Sequence, residues 1–177
     1  GGVCVAEPAQ PEQHAGELRV LILAAAEGRW PGNGQPRALQ FLGHRAIIDY
    51  VLDLAGQFCP PENTTIIVGY QHRAIEEHVG PRYRYVLQEE ALGTGHAVLQ
   101  ARALLEGFAG DVMVLYGDTP LFRLSSLRGM LTRHRLKGAD LTILTGISDE
   151  PLPYGRVVRD ADGRVVGDTV HIDIIDK

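Results

Sequence analysis

The apolar positions along the chain follow two spacings, one typical of buried strands and one typical of amphipathic helices. The run LRVLILAAA, which begins at Leu18, is apolar almost throughout, as in a strand covered on both faces of a parallel sheet. Residues 46–58 place apolar side chains on one face of a helix, and Pro60 prevents that helix from continuing. The same patterns predict strands at residues 64–68, 83–87, 111–115 and 141–144, and helices at residues 74–79, 95–105 and about 125–137. This alternation predicts an α/β fold with a mostly parallel sheet and helices on both faces.

The two ends of the chain depart from this pattern. Residues 1–17 have neither the basic start nor the long apolar run of a secretory signal, and we interpret them as a flexible lead. Residues 155–173 contain valine-rich runs on either side of Ala-Asp-Gly, which predicts a β-hairpin with a tight turn. We expect residues 18–177 to form one domain, to which this hairpin adds antiparallel strands near the functional site.

Composition narrows the class of protein. The 177 residues are 45% hydrophobic and 22% charged, which fits one folded domain and excludes a disordered or fibrous chain. The formal net charge of -5 argues against nucleic acid as the main partner. The longest apolar stretch, residues 20–26, is far shorter than the roughly 18 residues that a membrane span requires. With only two cysteines, the chain is not expected to depend on disulfides, and a reducing cytoplasm fits best.

A glycine-rich loop at residues 27–37 follows the first strand. Its glycines, Gly28 among them, would let backbone amides approach an anion, which the guanidinium groups of Arg29 and Arg37 would neutralise. The loop matches neither the GxGxxG dinucleotide fingerprint nor a Walker phosphate loop. By composition alone it is either a phosphate-binding loop or a surface loop without a ligand.

Asp118 comes just after the strand predicted at residues 111–115, and Gly117 allows the backbone to turn there. A carboxylate at the carboxyl end of a parallel strand commonly holds Mg²⁺ for a bound nucleotide. The alternative is that Asp118 simply caps the turn before Pro120.

Gly93, Thr94 and Gly95 come immediately before a predicted helix. Such small residues leave room for a flat base, while Gln88 offers both a hydrogen-bond donor and an acceptor nearby. The competing interpretation is an ordinary helix N-terminus with Thr94 as its cap. His96 is interpreted as structural, because no serine or cysteine nucleophile pairs with it in an obvious way.

Several stretches form an ordered series along about residues 18–167: LAA at 23–25, Gly28, PRAL at 36–39, LG at 42–43, QEEALGTGHA at 88–97, LYGDTPL at 115–121 and YGRVVRD at 154–160. In this order they resemble the uridylyltransferase domain of bacterial N-acetylglucosamine-1-phosphate uridylyltransferases, within the family of nucleotide-diphospho-sugar transferases. The resemblance implies the Rossmann-like fold of that family, with the domain cut short at its C-terminus.

The resemblance also implies a reaction and a site. UTP and a sugar 1-phosphate would be the substrates, Mg²⁺ the cofactor, and UDP-N-acetylglucosamine and pyrophosphate the products. The net charge and the short apolar runs lead us to expect no nucleic acid or membrane as a partner. Carried over by position, Asp118 would bind the metal, and Gly117 and Gly155 the sugar phosphate. Arg37 would take the place of the family's lysine on the phosphates, and a local shift of one residue would let Arg29 serve in place of the family's arginine. The nucleotide would be bound by Ala24, Ala25, Gly28, Gln88, Gly93 and Thr94.

The chain departs from the family where the chemistry is most demanding. The family's phosphate loop reads approximately LAAGxGTRM, whereas this chain has Ala26 for the first glycine, Trp30 in the arginine's place and Arg29 one position early. Val170 stands where the family has a glutamate, and the chain ends before the family's second metal ligand. Two alternatives stay open: a catalytically degenerate nucleotide- or partner-binding module of the same fold, or a nucleotidyltransferase for a different sugar phosphate or nucleotide.

Overall fold

Strands and helices alternate along the chain in the computed structural model, which describes residues 16–26, 34–69, 71–146, 156–162 and 165–169. The strands are β1 (Leu18–Ala24), β2 (Phe41–Leu42), β3 (Arg45–Ala46), β4 (Thr64–Val68), β5 (Arg84–Leu87), β6 (Asp111–Tyr116), β7 (Arg156–Arg159) and β8 (Val165–Thr169). The helices are α1 (Ile47–Ala55), α2 (His72–Val79), α3 (Thr94–Gln100), α4 (Arg102–Leu105) and α5 (Leu124–Lys137). None of these described helices is long and apolar enough to cross a membrane.

The chain divides into two compact units, residues 1–129 and residues 130–177. Residues 1–15, which make up most of the predicted flexible lead, lie outside the described residues. The parallel sheet belongs to the first unit, and the second unit contains a separate pair of strands.

Four strands form the parallel sheet that the apolar pattern predicts, in the order β5-β4-β1-β6. Ile22 of β1 lies beside Ile66 of β4 and Leu115 of β6. Because these strands are all parallel, their carboxyl ends lie at one edge of the sheet, which we call the carboxyl edge. The residues that follow β1, β4, β5 and β6 are Ala25, Gly69, Gln88 and Gly117, respectively.

Both faces of the sheet's centre are covered. On one face Leu23 of β1 and Ile67 of β4 belong to an apolar cluster with Ala97 of α3. On the other face Ile22 and Ile66 are fully buried. Burying an aliphatic side chain of this size stabilises the fold by about 1.5–3 kcal/mol, so the core lies along the two central strands.

The predicted C-terminal hairpin is present in the second unit. Strands β7 and β8 pair in antiparallel fashion, with Val157 opposite Asp168 and Val158 opposite Gly167. Gly155, which comes just before β7, lies outside the described residues. The hairpin is therefore confirmed, and its closeness to the functional site stays a prediction.

The strand predicted at residues 141–144 is wrong. This segment has no strand structure, and Leu141 and Ile143 are 73% and 50% exposed. A run of apolar residues forms a strand only where a neighbouring strand supplies partners for its backbone. The segment is held instead by a side-chain contact, in which the Thr142 hydroxyl lies 2.9 Å from Nδ1 of His134.

The helix predicted at residues 95–105 is interrupted, and its expected cap is different. The backbone leaves the helical region at Ala101, where ψ is 1°, so α3 and α4 are separate helices. The cap of α3 is Gly93, whose φ of 100° favours glycine, and Thr94 is the first helical residue. The interpretation of Thr94 as the cap is therefore wrong.

Cys59 is the cysteine that the described residues contain, and its thiol is free and buried. Its Sγ lies 3.4 Å from the Thr64 hydroxyl oxygen. Burial raises the pKa of the thiol, which keeps it protonated and a poor nucleophile.

Candidate functional site

Two glycines at the carboxyl edge lie against the end of β1. A Cβ placed on Gly69 would be 2.8 Å from the carbonyl oxygen of Ala25, and one placed on Gly117 would be 3.1 Å from the Cβ of Ala24. The Gly117 amide also donates to the carbonyl oxygen of Leu23 at 2.8 Å. The absence of side chains at these two positions lets the ends of β4 and β6 hold the Ala24–Ala25 segment closely between them.

Ala24, Ala25 and Gly117 are among the site residues predicted from the sequence, and the structure brings these three together. Gly69 is not among the predicted residues, although the sequence contains a signal for it. A glycine directly after the apolar run of β4 marks a place where another backbone approaches closely.

Gln88 lies at the same edge, directly after β5. Its backbone amide donates to the carbonyl oxygen of Val68 at 2.8 Å, and only 5% of the residue is exposed. Its side-chain Nε2 lies 3.3 Å from the carbonyl oxygen of Gly93 and 2.9 Å from Nδ1 of His96. Gly93 and Thr94 are exposed at the start of α3. The structure therefore places Gln88 next to Gly93, and the binding of a base by these residues stays a prediction.

Asp118 and Arg37 form the charged part of the edge. Nη1 of Arg37 lies 3.7 Å from Oδ2 of Asp118, and the two side chains are 47% and 26% exposed, respectively. The Thr119 hydroxyl donates to the other carboxylate oxygen at 3.3 Å. A partly exposed ion pair without a close hydrogen bond is weak, so both groups are free to exchange partners when a charged ligand arrives.

The glycine-rich loop contains predicted site residues that lie outside the described residues, namely Gly28 and Arg29. The described part of the loop resumes at Gly34, whose carbonyl oxygen accepts a hydrogen bond from Nε2 of Gln71 at 2.6 Å. Gln71 immediately precedes α2, so the end of the loop is tied to that helix. No local pattern could predict this anchor, because it joins residues 37 positions apart.

The charged part of the edge has the chemistry to take part in holding a divalent cation. The described residues contain no group of three or more histidine, cysteine or acidic side chains that could hold a metal by themselves. Mg²⁺ usually keeps several waters and takes one or two protein carboxylates, with substrate phosphates completing its ligands. The partly exposed carboxylate of Asp118 fits that use.

An open parallel sheet with polar groups gathered at the carboxyl ends of its strands is the arrangement of nucleotide-binding α/β proteins. Residues 20–172 match the family model of the MobA-like NTP transferase domain. The chain belongs to this family.

Two bacterial proteins are similar to most of this chain. The bifunctional protein GlmU of Synechococcus sp. (strain CC9605) is 40% identical over 162 residues, which cover 90% of this chain and 36% of that protein. The bifunctional protein GlmU of Enterococcus faecalis (strain ATCC 700802 / V583) is 40% identical over 145 residues, which cover 82% of this chain and 31% of that protein. The chain thus spans about a third of these relatives, and the predicted resemblance to proteins of this kind is confirmed.

Solved structures confirm the fold. Rv0371c from Mycobacterium tuberculosis H37Rv aligns with a TM-score of 0.57 and 21% identity, over 69% of this chain and 62% of that chain. Mannose-1-phosphate geranyltransferase from Thermus thermophilus aligns with a TM-score of 0.57 and 23% identity, over 70% of this chain and 38% of that chain. Rv0371c has also been solved as a complex with manganese.

Proposed function

We propose that this domain binds UTP with Mg²⁺ and transfers the uridylyl group to N-acetylglucosamine 1-phosphate, forming UDP-N-acetylglucosamine and pyrophosphate. The observation that carries the proposal is the gathering of Gln88, Gly93, Gly117 and Asp118 at one edge of the sheet. These residues belong to motifs that resemble the uridylyltransferases in the same order, and the 40% identity to GlmU supports the same assignment.

The uridine would be held by the part of the edge that carries small residues. Ala24 and Ala25 present little side-chain bulk, and the cap Gly93 and the first helical residue Thr94 of α3 are both exposed. Gln88 offers an amide that can hydrogen bond to the polar edge of the base. Shape and hydrogen bonding together would select the base.

The phosphates would be held by the charged part of the edge. Arg37 would leave Asp118 and pair with the triphosphate, while Asp118 would hold Mg²⁺. When bound, Mg²⁺ supplies positive charge that stabilises the developing charge on the phosphate oxygens. Arg29 and Gly28 in the loop, and Gly117 and Gly155 beside the sugar phosphate, complete the proposed contacts.

The reaction would be a direct displacement at phosphorus. An oxygen of the sugar 1-phosphate forms a bond to the α-phosphorus of UTP, and the bond to the bridging oxygen breaks, so that pyrophosphate leaves with the electron pair. No protein nucleophile is required, because the chain's residues act by positioning and charge neutralisation. We place this reaction in the cytoplasm, where both substrates and Mg²⁺ would be available.

Calorimetric titration with UTP, CTP, ATP and dTTP, with and without Mg²⁺, tests the proposal. We expect UTP to bind more tightly than the other nucleotides, because Gln88 would select the base. We also expect Mg²⁺ to increase the UTP affinity, because Asp118 would hold the metal beside the phosphates. Binding of no nucleotide, or equal binding of all four, would contradict the proposed function. Selective UTP binding without transfer would instead favour the degenerate module that Ala26 and Trp30 suggest.

Replacement of Arg37 tests its role on the phosphates. Arg37→Ala should weaken UTP binding about ten- to a hundredfold, because one charge-assisted hydrogen-bonding group is lost. Arg37→Lys keeps the charge that the family has at this position and should retain most of the affinity. Arg84→Ala is the matched control, since Arg84 is the first residue of β5 and so lies at the amino end of the strand, away from the carboxyl edge. Equal UTP affinities of the alanine variants at positions 37 and 84 would rule out the assignment.

A further inference from the structure

The side chain of Gln88 is held in one orientation by its neighbours. Its Nε2 lies between the carbonyl oxygen of Gly93, at 3.3 Å, and Nδ1 of His96, at 2.9 Å. A carbonyl oxygen can only accept, so the amide atom facing Gly93 has to be the nitrogen. Its second hydrogen is then directed to His96, whose Nδ1 has to carry a lone pair.

The oxygen of the same amide is the atom left for a ligand. Within the described part of the chain, Oε1 of Gln88 has no hydrogen-bond partner. No fully enclosed side-chain nitrogen or oxygen of the described residues lacks a partner, so Oε1 has to reach the outside. Gln88 therefore presents a hydrogen-bond acceptor at the carboxyl edge.

His96 has a second amide neighbour, and the two contacts compete. Nε2 of Gln100 lies 3.0 Å from Nε2 of His96 and also donates to the His96 carbonyl oxygen at 3.1 Å. A neutral imidazole has one nitrogen with a lone pair and one with a proton, so it cannot accept from both amides. Turning the Gln88 amide would place its oxygen against the carbonyl oxygen of Gly93, and two acceptors would then face each other. Gln100 has no such constraint, since it ends α3 and is only half-buried. The contact to Gln88 therefore decides the tautomer, with the proton on Nε2.

We propose that His96 is a positioning residue that selects the base through Gln88, an inference that rests on the proposed function. Its Nδ1 lone pair holds the amide nitrogen of Gln88, so that Oε1 faces the nucleotide. An acceptor at this place suits a pyrimidine whose ring N3 carries a hydrogen, as in uracil, and opposes cytosine, whose N3 carries a lone pair. His96 thereby sets the donor or acceptor character of the base site without touching the base.

Nitrogen NMR of the nucleotide-free protein tests the orientation directly. Long-range proton–nitrogen correlation at alkaline pH should show that Nε2 of His96 is protonated and Nδ1 is not. A proton on Nδ1 would overturn the proposal, because Gln88 would then have to turn its oxygen towards His96. This measurement does not depend on nucleotide binding. Because it uses the wild-type protein, it also tests the proposal if a His96 variant fails to fold.

Three variants of His96 separate positioning from a general structural role. Asparagine places its polar atoms near the position of Nδ1, whereas glutamine places them near the position of Nε2. We expect His96→Leu and His96→Gln to lower the ratio of UTP to CTP affinity about tenfold, and His96→Asn to retain most of it. In a Gln88→Leu background, His96→Leu should cause no further change in that ratio.

The outcomes separate this inference from the proposed function. A wild-type protein without preference for UTP over CTP contradicts the proposed function and the selection of the base together, even where the NMR confirms the tautomer. A wild-type preference that survives His96→Leu overturns the role of His96 alone. The role of His96 would also be overturned if His96→Gln kept the preference for UTP and His96→Asn lost it. The contact that matters would then be the one between residue 96 and Gln100.

Discussion

Replacing Asp118 with alanine should lower the rate of Mg²⁺-dependent transfer by about a thousandfold. In the proposed site the carboxylate of Asp118 would hold Mg²⁺, and it lies 3.7 Å from Arg37. Without it, Mg²⁺ would lose the protein ligand that we propose for it. The side chain is 26% exposed, so stability should change little. The measurement is pyrophosphate release as a function of Mg²⁺ concentration, with the Mg²⁺ dependence of UTP affinity measured alongside.

Two further variants identify the cause of that loss. Asp118→Asn keeps the size of the side chain and an acceptor for the Thr119 hydroxyl, so a loss of equal size would assign the effect to the charge. Glu62→Ala removes a carboxylate just before β4, at the amino ends of the parallel strands, and should leave the rate unchanged. If Asp118→Ala kept the wild-type dependence on Mg²⁺ in both measurements, the metal assignment would be wrong.

Replacing Gly69 with alanine should lower the free energy of unfolding by about 1–3 kcal/mol and weaken UTP binding. The added Cβ would meet the Ala25 backbone, with its oxygen at 2.8 Å and its Cα at 3.2 Å. Backbone atoms in a packed core cannot rotate away as a flexible side chain can, so the ends of β1 and β4 have to separate. Ala25 would move with them, and the proposed uridine contact would be displaced.

Gly129→Ala provides the matched control for this prediction. Gly129 lies inside α5, and a Cβ there would meet nothing within 4 Å. Alanine favours a helix over glycine by about 1 kcal/mol, so this variant should be more stable than the wild type and bind UTP equally well. Chemical denaturation and calorimetry on both variants provide the comparison. Equal stability of Gly69→Ala and the wild type would show that the close approach to Ala25 does not constrain the fold.

Part of the site could be predicted because its residues follow strand ends. In a parallel sheet the carboxyl ends meet at one edge, so Gln88 after β5 and Asp118 after β6 had to lie on the same side of the molecule. Composition could not show which of these residues touch. The contact between Arg37 and Asp118 and the packing of Gly69 against Ala25 depend on the order of the strands.

The sequence by itself determined the α/β alternation, the four parallel strands and the hairpin of β7 and β8, because burial on both faces and tight turns leave local patterns. Only the tertiary structure decided that residues 141–144 form no strand, since a strand requires a neighbour that the local pattern does not specify. The orientation of the Gln88 amide was likewise decided only by the tertiary structure, which places His96 and Gly93 against it. Contacts of this kind depend on how strands and helices pack against one another. The spacing of residues along a single strand or helix does not specify the distances between its atoms and those of its neighbours.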